Sequence, residues 1–460
     1  MVEKNTSNKL FLLKLARLGA PIALQNFLSF STTLANTIMV GKLGDTAISG
    51  VYMGNQIKTL LTVFLAGIEG AILVLSAQYH GKKDNESIRR ILGIGAFFAA
   101  IVSLLLTIVC FFFSSSIVRL FTKNAQIIDT GSGYLRIICL SFVLFSLTQI
   151  MLASMRSVES TKVGFVVSLI SLGVNIALNY ILIFGKLGAK KFGIIGASIA
   201  TVCASSVEFI LVASYIIFID KKLKIRIKNL FSIFKFEKNL IFEFIKYGSP
   251  IILGQLVWGA NMLFATAVIG RQAKSAITAM SIAGSLANLA HVVTNGTSGA
   301  LGILIGKGIG EEKYDEVRKN CKTAQIVFLL LGAATSLFIL LIKNPFISIY
   351  EITPAAISEA RRFINVLAVF TFGTCYQSAA LTGILKSAKD TRFVFKVEAF
   401  SVFFAIFPLA LIASRLTLAP WIIFAALKCD QFIKCLPAAI RVNKFKWLKH
   451  EKGGYAKGQF

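Results

Sequence analysis

Apolar residues run along the chain in twelve blocks, near 18–40, 48–79, 91–113, 133–154, 163–185, 193–219, 247–269, 276–306, 323–342, 363–384, 397–414 and 419–440, with short polar segments between them. A helix of about 20 apolar residues crosses a hydrocarbon core, and each block reaches roughly that length. Backbone in lipid must satisfy its own hydrogen bonds, which leaves helices or a closed barrel. A barrel would show shorter segments of strict alternation, and there are none here. The pattern predicts an all-α integral membrane protein with twelve transmembrane helices.

Polar residues inside the blocks recur at helical spacing and so line single faces. In the first span these are Asn26, Ser29, Thr33 and Asn36. The second has Asn55, Thr59, Thr62 and Glu69, the fifth Ser168, Ser171, Asn175 and Asn179, and the eighth Ser281, Ser285, Asn288, His291 and Asn295. Such rows either tie helix to helix or face a cleft. A charge at bilayer depth costs about 2.5–3.5 kcal/mol, so Glu69 and Glu208 are candidates for moving a proton or neutralising a cation. Glu69 lies roughly 16 Å deep at the helical rise. His291 is read as either a packing residue or a proton-sensing contact in the cleft. Asp430 has Lys434 one turn later, a pairing that explains it locally. Lys58 is expected to snorkel to the outer interface. Pro408 and Pro437 each remove a helical hydrogen bond and predict bends.

The chain repeats itself at an offset of 229 residues. Gly19, Pro21, Gly41, Gly70, Gly81 and Arg89 map onto Gly248, Pro250, Gly270, Gly299, Gly310 and Arg318. MVGKLGDTAISG at 39–50 lies over VIGRQAKSAITA at 268–279. With one residue inserted, MRSVESTK at 155–162 lies over LKSAKDTR at 385–392. Six spans in each half return the chain to the same side. The repeat therefore predicts two six-helix lobes related by a pseudo-twofold axis along the membrane normal, with a cleft between them. The expected organisation is an N-terminal lobe at 1–219, a cytoplasmic linker at 220–246, a C-terminal lobe at 247–440 and a basic tail at 441–460. The linker alternates basic and aromatic residues, as in KLKIRIKNLFSIFKFEK, which suits the inner leaflet. A self-contained cleft of this kind predicts a monomer.

Composition sharpens this picture. Hydrophobic residues make up 56% of the 460 and charged ones 15%, well under the roughly 25% of soluble domains. Lys and Arg number 49 against 21 Asp and Glu, but they cluster between the apolar blocks, which argues for a membrane surface and against nucleic acid. The segments placed inside hold 33 basic residues and those placed outside hold 12, which puts both termini in the cytoplasm of the plasma membrane. The seven cysteines show neither zinc spacing nor a disulfide framework. Three histidines make no HExxH, GxSxG is absent, and GILIGKG at 302–308 lacks the spacing of a phosphate-binding loop. An enzyme and an ATP-driven pump are both disfavoured, and no cofactor is expected.

Several motifs together resemble the multidrug and toxic compound extrusion (MATE) family, in its bacterial NorM- and DinF-like branch. They are Pro21, MVGKLG at 39–44, AQYHGKKD at 77–84, NIALNYILIFG at 175–185, GIIGASIAT at 193–201 and SAKDTR at 387–392. The resemblance implies extrusion of amphipathic, often cationic, organic compounds in exchange for protons or sodium, by rocking of two lobes. It also implies a first-lobe cation site at Asn36, Asn175, Asn179 and Thr201. Asn36 stands where members commonly hold an aspartate, and Trp258 and Thr374 stand where NorM-type members hold carboxylates, so this site is weakened. Ion coupling is therefore expected at Glu69 or Glu208. The substrate cleft is expected to include Asn26, Ser29, Thr33, Gln255, Trp258, Asn288, His291, Asn295 and Thr374. The alternative is a flippase for lipid-linked substrates from the same superfamily, whose cleft would carry Arg and Lys.

Overall fold

The computed structural model describes residues 2–120, 122, 124–223, 225, 237–272, 274–350 and 352–451. Part of the expected linker (226–236) and of the expected tail (452–460) lie outside the described residues. Among the described residues every regular element is helical. The helices are α1 (Val2–Gly41), α2 (Asp45–Gly81), α3 (Asn85–Arg119), α4 (Ala125–Ser157), α5 (Thr161–Phe184), α6 (Ile194–Ile219), α7 (Lys238–Ile269), α8 (Lys274–Gly310), α9 (Tyr314–Ile347), α10 (Pro354–Lys386), α11 (Thr391–Arg415) and α12 (420–444). Ten of them, α2 to α11, are long and apolar enough to cross a membrane. α12 is built in three pieces, Pro420–Lys428, Asp430–Ile433 and Cys435–Lys444.

Two helices start earlier than hydropathy indicates. α1 begins about sixteen residues before its apolar block, and Pro21 lies in mid-helix rather than near its start. The reason is amphipathicity: Phe11, Leu15, Leu18 and Ile22 recur at helical spacing and are buried. α7 likewise begins at Lys238, with Leu240, Phe244 and Ile251 buried along one side. A search for continuous apolar runs misses such one-sided helices.

The helix ends follow local chemistry. Asp84 caps α3 by accepting from the Ser87 N–H at 3.0 Å. Asn124 caps α4 through the N–H groups of Gln126 and Ile127. Thr353 caps α10, with Pro354 at the first helical position. The repeat is also written in the backbone. Lys83 and Glu312, 229 apart, both hold φ near +60°, at 60° and 59°, and Glu159 and Lys389, 230 apart, are both at 60°. Each closes its helix with the same long-range turn: the following N–H, of Asp84, Ser160, Lys313 or Asp390, donates to the carbonyl five residues back at 2.9–3.0 Å.

By packing, the chain divides into two compact units. One is Leu24–Ile252, and the other joins Met1–Ala23 to Leu253–Phe460. This differs from the boundaries expected at 219 and 247. Close small-residue packing accounts for the N-terminal reassignment, since a Cβ on Gly296 would lie 2.6 Å from the Ala23 nitrogen and one on Gly19 3.3 Å from Thr297 Cα. At the linker, the described ends are docked rather than free. Arg89 donates to the Leu223 carbonyl at 3.1 Å, Arg90 pairs with Glu237, and Tyr79 donates to Glu243 at 2.7 Å. In the first unit Leu61, Leu65, Ile68 and Ile72 of α2 pack with Ile88 and Ile91 of α3 and with Leu135 and Phe142 of α4. The second unit centres on Leu286, Ile339, Phe363, Ile364, Ile406 and Phe424, with the Phe363 and Phe424 rings stacked at 4.5 Å.

Among the described residues three stretches wind as π-helix: Tyr215–Ile219, Ser378–Lys386 and Ser401–Ile406. The last sits directly before Pro408, and α12 is interrupted at Lys434, just before Pro437. The missing proline N–H groups explain why regular α-winding fails at both places.

Candidate functional site

Unit Leu24–Ile252 holds two polar clusters. In the first, Asn179 of α5 donates its amide N–H to Asn36 of α1 and, at 3.0 Å, to Asn175 one turn earlier. Asn175 and Asn179 are fully buried, and the Asn179 amide oxygen has no partner among the described residues. Thr201 is buried too, but its hydroxyl donates to the Ala197 carbonyl of its own helix at 2.9 Å. Three of the four expected cation-site residues thus meet through hydrogen bonds. Among the described residues no group of three or more His, Cys, Asp or Glu side chains is placed to hold a metal ion. Ser29 and Thr33 spend their hydroxyls on carbonyls one turn back, at 3.1 and 3.2 Å, and Asn26 is half-buried nearby on α1.

The second cluster surrounds Arg156, near the end of α4. One guanidinium N–H donates to Gln25 of α1 at 3.1 Å, and another nitrogen lies 3.6 Å from the Glu69 carboxylate of α2. Gln25 is buried and packs on Gly164 of α5, where a Cβ would come within 2.4 Å of its amide oxygen. Lys58 of α2 lies 5.1 Å from the Phe145 ring centroid and interacts electrostatically with Glu208 of α6. Arg156 also acts on Glu208 from a distance. The ammonium of Lys58 thus faces an aromatic ring of its own unit. Gln25 and Arg156 are the members of this cluster that hydropathy does not single out. Charge alone puts Arg156 in a cytoplasmic turn, whereas α4 continues through Ser157.

The other unit contains a cavity of about 530 Å³ between α7, α8, α10, α11 and α12. Trp258, Asn288, His291, Asn295 and Thr374 line it, and Gln255, half-buried on α7, does not. The walls mix apolar side chains, Trp258, Met262, Met280, Phe370 and Phe424, with polar and charged ones, and the volume suits a drug-sized ligand. The ionisable groups come mainly from the interrupted part of α12. Lys434 pairs with Asp430 at 2.7 Å, and Gln431 donates to both Asp430 oxygens at 3.0 Å. Gln431 in turn accepts from Thr374 at 2.9 Å and from Gln377. Glu398 of α11 pairs with Lys386 at 3.3 Å and packs against Gly254. His291 shares a 3.3 Å hydrogen bond with Thr371. Lys428 also lines the cavity, with its ammonium 5.8 Å from the Phe424 centroid. The signal for Lys428 is present in the sequence, as a lysine inside the apolar run WIIFAALKC.

The MatE family model matches this chain twice, over residues 21–181 and 250–412. The two matches start at Pro21 and Pro250, the offset of the internal repeat. The chain belongs to the MATE family. Membership makes it a multi-pass membrane transporter of small molecules, not an enzyme. Among curated relatives it is 27% identical over 406 residues to a "Probable multidrug resistance protein NorM" of Photorhabdus laumondii, covering 87% of each chain. It is 23% identical over 427 residues, 92% of each chain, to a protein of the same name from Listeria monocytogenes. A solved MOP superfamily transporter from Pyrococcus furiosus superposes with a TM-score of 0.85 at 17% identity, over 96% of both chains; its binding pocket is described as having reverse polarity that suggests a different function. An outward-facing multidrug resistance MATE transporter superposes with a TM-score of 0.84 at 18% identity, over 94% of this chain and 96% of that one.

Proposed function

We propose that this MATE-family protein is a secondary antiporter of the plasma membrane. It exports amphipathic organic compounds, with cations as the leading class, in exchange for protons or sodium. In this reading twelve spans form two six-helix lobes related by a pseudo-twofold axis along the membrane normal, with both termini cytoplasmic, and a monomer rocks between two access states. The matched positive-φ turns at Lys83 and Glu312, and at Glu159 and Lys389, support that symmetry.

The observation that carries the coupling assignment is the 3.6 Å contact of Glu69 with Arg156, which is itself bonded to Gln25. A carboxylate between a fixed arginine and a span that carries the asparagine cluster links proton occupancy to the packing of α1, α2 and α4. When protonated, Glu69 releases Arg156; when ionised, it holds Arg156 and offers a countercharge. The Asn36–Asn179–Asn175 cluster has no carboxylate, so it would bind sodium only through neutral oxygens, and this favours the proton.

The test is release of a fluorescent organic cation from proteoliposomes under separately imposed proton and sodium gradients. A proton gradient should accelerate release in the wild type and have no effect in Glu69→Gln. Acceleration that persists in Glu69→Gln, or that only sodium supports, overturns the Glu69 assignment. A second reading, translocation of a lipid-linked substrate, is favoured by the two lysines on the cavity wall, Lys428 and Lys434.

A further inference from the structure

Every carboxylate lining the cavity of the C-terminal unit is already committed. Asp430 takes an ammonium from Lys434 and two hydrogen bonds from Gln431, and Glu398 takes Lys386. Each already holds a lysine, so a cationic ligand would compete with an existing partner. The cavity lysines are not symmetrical in this respect. Lys434 is nine-tenths buried and engaged, whereas Lys428 makes no ion pair or hydrogen bond with any described residue. It senses Asp430 and Lys434 only through the longer-range field, and His291 senses it in the same way. An ammonium inside a span needs a partner, because desolvation without one is costly. Here the side chain faces a cavity walled by Trp258, Met262, Met280 and Phe370.

We infer that this cavity binds an amphiphile through an acidic head group, a carboxylate or a phosphate, with Lys428 as its cationic partner and the apolar wall taking the hydrophobic body. This rests on the reading that the cavity is a transport site, and it deepens that reading by naming a second substrate class. The remaining donors suit such a head group. The Asn288 and Asn295 amides line the same space and make no hydrogen bond to any described residue. The interrupted helix is what turns Lys428 toward the cavity: the Cys429 N–H donates three residues back, to Ala426, at 3.4 Å, tightening the turn just after Lys428. Charge-assisted hydrogen bonds to a carboxylate or phosphate are short and strong, so one ammonium on the wall suffices to discriminate acid from neutral ligand.

The test compares a fluorescent long-chain carboxylic acid with its own methyl ester, binding to the purified full-length protein in detergent. The acid should bind about tenfold tighter than the ester. Lys428→Gln should erase that preference, and Lys428→Arg should keep it. Equal binding of acid and ester by the wild type overturns the inference, whether or not any variant folds. So does an undiminished preference in a Lys428→Gln protein that elutes as a single species. Competitors then identify the source of the head group. Displacement by short-chain phosphatidic acid but not by dodecanoate assigns it to lipid, and the reverse assigns it to soluble compounds; both support acid recognition. Gradient-driven release of the organic cation is scored separately, so failure of antiport and failure of acid recognition are distinguishable.

Discussion

Arg156 stands 3.6 Å from Glu69 and at the same time donates to Gln25 at 3.1 Å, so one guanidinium joins α4 to both α2 and α1. Its remaining nitrogen, Nε, is buried without a partner among the described residues. The group therefore depends on these two contacts.

Removing one member of such a pair leaves the other charge without its partner. Arg156→Gln should lower the melting temperature in detergent less than Glu69→Gln does, because a glutamate left alone can protonate whereas a guanidinium left alone keeps its charge. The double variant should be less destabilised than the two single effects combined, with a coupling of about 0.5–3 kcal/mol. Thermal melts of the four proteins measure it, and additivity would show that the two side chains do not communicate.

Gly164 and Gly173 lie on the same helix and make a controlled pair. A methyl at Gly164 meets the Gln25 amide at 2.4 Å, whereas one at Gly173 meets nothing within 4 Å. Gly164→Ala should push Gln25 away from Arg156, cost about 1–3 kcal/mol and slow transport. Gly173→Ala should be neutral or stabilising by up to about 1 kcal/mol, since alanine loses less entropy in a helix. Melting temperature and cation release, read on both variants, decide between them.

Glu312 is exposed and holds φ at 59°, which costs a side-chain-bearing residue roughly 1 kcal/mol. Glu312→Gly should raise the melting temperature, and Glu312→Val should lower it, with transport unaffected by the glycine. The same contrast is expected at Lys83, its partner in the other half.

Much of this is legible in the order of residues, and particular side chains show why. Asn36, Asn175 and Asn179 stand out because polar side chains at helical spacing in an apolar run must find partners on another helix, and these three bond to one another. The depth of Glu69 follows from counting residues along a helix. Its partner does not, because hydropathy ends a span where charge begins, and Arg156 then reads as a loop cation although its helix runs on through it. The early starts of α1 and α7 are hidden for the opposite reason: an amphipathic stripe such as Phe11, Leu15 and Leu18 averages to an ordinary hydropathy. Lys428 is visible as a charge in an apolar run, but its freedom from Asp430 is not. Sequence spacing alone pairs Asp430 with Lys434 and leaves Lys428 without a stated role, and only the interruption of α12 places it on a cavity wall.

The π-helical stretch Ser378–Lys386 bears on the history of the molecule. The two halves align at an offset of 229 through Arg89 and Arg318 and at 230 from Met155 and Leu385, so the second half is one residue longer between those points. A π turn is the conformation in which a helix absorbs a single added residue without breaking. It runs into the start of the shifted segment, and at the matching place the first half keeps ordinary α-winding over Phe142–Ser157. Ser378, Leu381 and Thr382, all within the π stretch, line the cavity wall. Two ancestral copies that began with the same surface could in this way diverge in what they bind without any change in how they insert.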